Sequence, residues 1–404
     1  MRLWWRGLFF TLCFVHSAAF ANDSTSISDF DLADQVERMN SLSEVNKSLD
    51  PTPHCDSCTP KPNPQYQTCN DRNDYLESSL QKILNPSSWN ADQLLESSGQ
   101  NPQLQTCVRE SLSSHGGPFR TCDANGKGLA KGRSLVKPCQ SENLVKTLTS
   151  SYAATIDCLT PFMTDSNSQE SKGILSHSVF SLLAFESGFH MNAVSPTGAS
   201  GIGQLTGPAV QHINHILWPK MMNAIQSSTE PSCQAIAKTH PQPYDGRKSL
   251  RCEMISADEG NPLRNLLYTF AYQKAVRDDI NSGLRSLHAD NAGVQALQKA
   301  SPEFHERLLE AITIWGHNTG PAGIRMPFKY LLTSSQGRQL IEKEDLPGFL
   351  KALQPIVETY HRDHLHVSEQ RAKEASHFMG GIESRLKVIN QRAGAANGEA
   401  KCGI

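Results

Sequence analysis

The stretch Leu182-Leu183-Ala184-Phe185-Glu186-Ser187-Gly188-Phe189 closes a run of apolar residues with a single carboxylate. Across 174–185 the apolar positions recur at three- and four-residue spacing, the period of a helix with a buried face. A carboxylate at the end of such a helix is partly removed from water. This disfavours its charged form and raises its pKa toward the range where it donates a proton at neutral pH. The chain continues Ala193-Val194-Ser195-Pro196-Thr197-Gly198-Ala199-Ser200-Gly201-Ile202-Gly203-Gln204-Leu205-Thr206, with Gly198, Gly201 and Gly203 inside six residues. Such a loop lets backbone approach a ligand closely, while Ser195 and Gln204 offer polar contacts. Taken alone, a Glu at a helix end is most often a solvated cap, so the loop is what turns attention to chemistry.

Outward from this segment the helical period returns in 262–280, 302–315, 346–360 and 368–389, and no alternating stretch is long enough to demand a strand. The expected fold is mainly α, a helical catalytic domain with an N-terminal disulfide-rich accessory region. Its chemistry is expected on loops. At 404 residues the chain exceeds one ordinary domain of roughly 100 to 200 residues, and no internal repeat is visible. The opening reads as a secretory signal over 1–21: Arg2 and Arg6, an apolar core at 8–15, and Ala19-Phe20-Ala21 as a small-x-small cleavage site. That apolar core is shorter than the roughly 20 residues a membrane span needs, and no later stretch is apolar enough, so no span is expected once the signal is removed. A periplasmic or secreted location follows.

Residues 22–65 are rich in Ser, Asn, Asp and Pro and read as a low-complexity leader. Cysteines and helix-breaking Pro and Gly mark 66–150 as the accessory region, 151–393 is the catalytic domain, and 394–404 is a Gly- and Ala-rich tail that Cys402 can tie down. Of eleven cysteines Cys13 leaves with the signal, and an even set in an exported chain reads as disulfides. Cys55-x-x-Cys58 also has zinc or redox spacing, but Pro51, Pro53, Pro60, Pro62 and Pro64 surround it without a strand-helix pattern. The charges, 38 Lys and Arg against 40 Asp and Glu, give no electrostatic reason to expect nucleic acid as a partner. Neither a metal nor a cofactor is expected.

Glu186-Ser187, the Ala193 to Ala199 stretch, Gly201 and Gln204-Leu205-Thr206 together resemble the signature of the soluble lytic transglycosylase and goose-type lysozyme family. Asn265-Leu266 with Tyr272 resembles its next helix, and Asn318-Thr319-Gly320-Pro321 its Tyr-Asn-Ala-Gly-Pro segment, so the resemblance covers about 165–390. It implies a lysozyme-like helical domain with a groove for peptidoglycan glycan strands. Glu186 is then the single catalytic acid and base, protonating the oxygen between N-acetylmuramic acid and N-acetylglucosamine. It next takes the proton from the muramic 6-hydroxyl, leaving a 1,6-anhydro end. By the same resemblance Ser187, Ser195, Gln204, Thr206, Tyr272, His317 and Asn318 bind the sugar or orient Glu186. For Ser195, Gln204 and Asn318 the alternative is a loop-stabilising hydrogen bond.

The chain departs from the family pattern near the chemistry. Gly203 replaces a bulky Met, His317 replaces a Tyr, and Trp315-Gly316 replaces small residues. A wider pocket would accept N-deacetylated glycan. His317 either assists Glu186 electrostatically or holds a loop. Between Thr206 and Asn265 lies a long segment with Trp218, Cys233, Gly246 and Cys252, in which a Cys233 to Cys252 bridge would brace a loop over the groove. Asp258 or Glu259 at its end could position a water, which would make the enzyme a lysozyme-type hydrolase. A non-catalytic wall-binding protein is the remaining alternative. His361, His364 and His366 are better read as a solvated helix face than as metal ligands.

Overall fold

The computed structural model describes residues 102–114, 142–164, 168–190, 193, 195, 199–244, 262–397 and 402, all within the compact unit Thr52–Ile404. The expectations for 1–21, 22–65, Cys55, Cys58, Cys252, Asp258 and Glu259 lie outside these residues, as does most of 66–150.

The described residues are mainly helical. In chain order the helices are α1 (Pro102–Ser114), α2 (Glu142–Thr164), α3 (Gln169–Glu186), α4 (Gly207–His212), α5 (Trp218–Ser227), α6 (Pro231–Lys238) and α7 (Pro262–Arg285). They continue with α8 (Ala292–Lys299), α9 (Pro302–Thr319), α10 (Pro321–Thr333), α11 (Ser335–Glu342), α12 (Leu346–Asp363) and α13 (Glu369–Asn397). A π-helical turn, Ile213–Leu217, joins α4 to α5. There is no strand among the described residues; Ser200 and Leu205 form an isolated antiparallel bridge.

Local chemistry sets the helix starts. Ser168 caps α3 by accepting from Ser171 N at 3.0 Å, and Ser301 caps α9 by accepting from Phe304 N at 3.2 Å with Pro302 in the first turn. From Ser178 to Ala184 every residue of α3 is buried, which makes it a central helix. Helix α9 packs against both α3 and α7, and α2 does the same from another side. Around them α13 packs on α1, α3 and α12, while α10 packs on α7, α9 and α12. The expected domain boundary after residue 150 falls inside α2, whose Val145, Leu148 and Tyr152 share one core with Cys107, Val108 and Leu112 of α1 and with α3.

Cys402 bonds to Cys107, tying the tail to α1. Cys233 bonds to Cys158, not to Cys252 as expected. The reason is packing: α6 lies on α2, which brings the two Cα atoms to 4.8 Å. The described part of the long segment, 207–244, therefore contributes to the core. Trp218 and Tyr244 each stack on Tyr268 with ring centroids 4.6 Å apart, and Arg264 lies 4.1 Å over the Tyr244 ring. Asn214, inside the π turn, bonds the Tyr244 carbonyl at 2.8 Å and the Tyr268 hydroxyl. No helix among the described residues is long and apolar enough to cross a membrane.

Helix α7 carries a polar residue every fourth position: Asn265, Thr269, Gln273 and Arg277, each at most 4 % exposed. Four-residue spacing places them on one face, so each must find a partner inside the protein. Arg277 finds Glu310, 1 % exposed, and Glu306 at 2.7 and 2.9 Å, while Ser178 of α3 donates to Glu310 at 2.9 Å. This network joins α7, α9 and α3. Removing one partner strands a buried charge, so Arg277→Met should cost about 3–5 kcal/mol, and adding Glu310→Gln should recover much of it. Urea denaturation of the two variants checks this.

Candidate active site

Glu186 is the last residue of α3. The helix stops there because Ser187 turns back on it. Its N–H donates to Leu183 O at 3.2 Å, its hydroxyl donates to the same carbonyl at 3.3 Å, and its oxygen accepts from Phe189 N at 3.1 Å. Gly188 and Phe189 then adopt φ of 60° and 66°. A left-handed Phe is strained, and its ring supplies the compensation by packing between Phe180 at 5.2 Å and Tyr152 at 5.8 Å. From α13, Arg385 donates to Ala184 O at 3.2 Å and to Ser111 and Ser114 carbonyls of α1 at 3.0 and 2.7 Å. One guanidinium thus satisfies the carbonyl ends of two helices and favours their negative dipole ends.

This support leaves the Glu186 carboxyl half-buried, with no hydrogen-bond partner among the described residues. Burial pushes its pKa up to about 8, with no charge among the described residues contributing.

The loop after Glu186 is organised by its own polar groups. Ser195 N donates to Ala199 O at 2.8 Å, Ser195 Oγ accepts from Ala199 N at 3.0 Å, and Gly201 N donates to Ala193 O at 2.9 Å. Gly201 has φ 80° and Gln204 φ 49°. The Gln204 amide offsets that conformation by donating through Nε2 to Ala193 O at 3.0 Å and Gly201 O at 2.8 Å. Its Oε1 has no partner among the described residues and is available to accept from a ligand.

Helices α7 and α9 clasp the loop at Gly203. Asn265 Oδ1 accepts from Gly203 N at 3.1 Å, and His317 Nε2 lies 2.8 Å from Gly203 O. His317 Nδ1 lies 2.7 Å from Gln273 Nε2, and the Tyr272 ring stands edge-on to the imidazole at 5.1 Å. Burial holds the His317 pKa down to about 4 and pushes the Tyr272 hydroxyl up to about 12, so both are neutral at pH 7. His317 is therefore a loop-holding residue and supplies no positive charge for Glu186 at that pH. A Cβ at Gly203 would overlap Thr269 Oγ1. The glycine lets the loop seat on α7; the expected widening of the pocket does not follow, because the missing side chain points into the core.

The residues expected to bind sugar divide by exposure. Ser187 is fully buried and committed to the helix end, and His317 is committed to Gly203. Ser195, Gln204 and Tyr272 are half-buried; Thr206, at the start of α4, and Asn318, in the last turn of α9, are exposed. Asn265, Gln273 and Arg385 were missed as supports, although the four-residue polar stripe of α7 is visible in the sequence. Among the described residues no group of His, Cys, Asp and Glu could hold a metal. His361 is buried and lies 3.2 Å from Gly323 O, so it does not belong to the expected solvated face, whereas His364 and His366 are exposed.

Unfolding returns Glu186 from about 8 to its ordinary 4.5, so between these values the folded state holds a proton that the unfolded state releases. Wild-type stability therefore falls as pH rises through that window. Glu186→Gln, which does not titrate, should exceed wild type by roughly 1–3 kcal/mol at pH 7, with the gap closing toward pH 4. Thermal unfolding across this range measures it. Gly203→Ala should cost about 1–3 kcal/mol through overpacking, partly relieved by Thr269→Ala, as read from chemical denaturation. Compared with known proteins, the chain matches no family model, no curated protein and no solved structure.

Proposed function

We propose that this chain cuts peptidoglycan glycan strands between N-acetylmuramic acid and N-acetylglucosamine, as a lytic transglycosylase on a lysozyme-like fold, after export to the periplasm or beyond. One observation carries the reading: the Glu186 carboxyl, closing a buried helix, retains its proton to about pH 8 and has no internal partner among the described residues. Such a group is a general acid at neutral pH.

Glu186 gives its proton to the glycosidic oxygen as the bond from that oxygen to the anomeric carbon breaks. The resulting carboxylate takes the proton of the muramic 6-hydroxyl as its oxygen bonds the same carbon. Atoms balance without water, and Glu186 ends protonated as it began. Glycosidases that hydrolyse through a second carboxylate hold the pair about 5–9.5 Å apart. A second ionised carboxylate at the nearer spacing would repel the Glu186 charge, and among the described residues no such charge contributes to its raised pKa; Asp258 and Glu259 lie outside those residues. On this reading the Gln204 Oε1, which has no partner among the described residues, and the Tyr272 hydroxyl contact sugar hydroxyls or amides.

Purified glycan strands are the direct test, with products resolved by mass spectrometry. Wild type should release 1,6-anhydromuramic ends, and Glu186→Gln should lose activity by roughly 10²–10⁴-fold. The kcat/KM of wild type should fall above about pH 8, as the acid loses its proton. Reducing ends in place of anhydro ends would establish hydrolysis, and full activity in Glu186→Gln would refute the assignment.

A further inference from the structure

Gln273 is a neutral amide on α7, 1 % exposed, that takes no part in the chemistry above. Its Nε2 lies 2.7 Å from His317 Nδ1, while its Oε1 is buried with no hydrogen-bond partner among the described residues. A Leu or Met would fill the space without stranding an oxygen, so the amide answers to something other than packing. The other side of the imidazole supplies the reason. Gly203 O can only accept, so His317 Nε2 carries a proton. A neutral ring is then an acceptor at Nδ1, and Gln273 must turn its NH2 toward it. The stranded Oε1 is the consequence of that orientation.

We propose that Gln273 is a positioning residue: it selects the Nε2–H tautomer of His317, which fixes the Gly203 carbonyl and with it the Gln204 loop that serves Glu186. The kinetic part of this inference rests on the glycan-cleaving reading; the structural part does not. The loop is clasped on both faces of one residue, since Asn265 takes the Gly203 N–H while His317 takes its carbonyl. In the opposite tautomer a lone pair on Nε2 would face the carbonyl oxygen and open the clasp. The titratable group against His317 is Tyr272 on α7. The charged groups on the elements packed around it are the Arg277–Glu306–Glu310 cluster and the Arg325–Asp279 pair between α10 and α7. The loop residues 199–206 include no charged group.

The experiment compares wild type, Gln273→Leu and Gln273→Glu as full chains. Nitrogen-15 histidine labelling, with His317→Gln to assign the signal, reads the tautomer, and amide exchange at Gly203 reads the clasp. Wild type should show Nε2–H. Gln273→Leu should show mixed tautomers, faster Gly203 exchange and a kcat lowered about 10- to 100-fold, with an unchanged pH profile. In Gln273→Glu the introduced carboxyl and His317 keep the clasp only while they share one extra proton. Once it is lost, Nδ1–H turns to the carboxylate and Nε2 loses its hold on Gly203. That variant should gain a new decline in kcat/KM with rising pH, beginning below the decline set by Glu186. A purely structural amide would change stability and leave the profile alone.

An Nδ1–H tautomer in wild type overturns the proposal, as does a Gln273→Glu variant with wild-type exchange and profile. If Gln273→Glu does not fold, the tautomers of wild type and Gln273→Leu decide. If wild type cleaves no glycan, the functional reading fails, while tautomer and exchange still decide the role of Gln273.

Discussion

A buried helix face that carries a polar group every four residues must be answered by partners, and that requirement on α7 organises the middle of this protein. Asn265 reaches the loop backbone, Thr269 sets how closely the loop can lie, Gln273 meets His317, and Arg277 meets two glutamates of α9. Apolar burial would hold α7 and α9 together in many registers. Directional bonds at successive turns admit one, because a single-residue shift would leave Asn265, Gln273 and Arg277 unpaired in a medium where that is expensive, while Thr269 bonds back to its own helix.

The acid-range pKa of Glu186 depends on the same logic at one remove. A half-buried carboxyl keeps a raised pKa only while its surroundings stay put, since motion that admits more water favours the charged form. Rigidity comes from three directions: the Ser187 cap, the Phe189 ring held by Tyr152 and Phe180, and Arg385 gripping the carbonyl ends of α1 and α3. None of these groups is required by the protonation itself. Each limits how far the end of α3 can move.

Much of this was legible in the sequence. The windows 174–185, 262–280, 302–315, 346–360 and 368–389 correspond to α3, α7, α9, α12 and α13. Helix α2 escaped because its buried positions include Thr149, Ser151, Thr155 and Thr160. Their hydroxyls, except that of Ser151, bond back to carbonyls four residues earlier, so the face is buried without being apolar in sequence. Glu186 and Gln204 could be singled out by type and place. For His317 the loop-holding alternative is the one its contacts with Gly203 and Gln273 favour; for Ser187 the two roles were not separable, because contact with ligand and contact with backbone use the same hydrogen-bonding groups. The role of Gly203 was misread for a related reason: a missing side chain has no direction until the helix opposite it is known. Cysteine pairing was likewise a matter of packing, with α6 lying on α2 and carrying Cys233 to Cys158.

The Arg385 grip has a consequence for the order of folding. Its bonds to Ala184, Ser114 and Ser111 span 201, 271 and 274 residues, and the bridge from Cys107 to Cys402 spans 295. Contacts this distant along the chain close large loops and belong to the slow part of assembly. In the unfolded chain Glu186 has the pKa of an ordinary glutamate and is ionised at neutral pH. The protonated carboxyl is thus a property of the folded state and not of the chain.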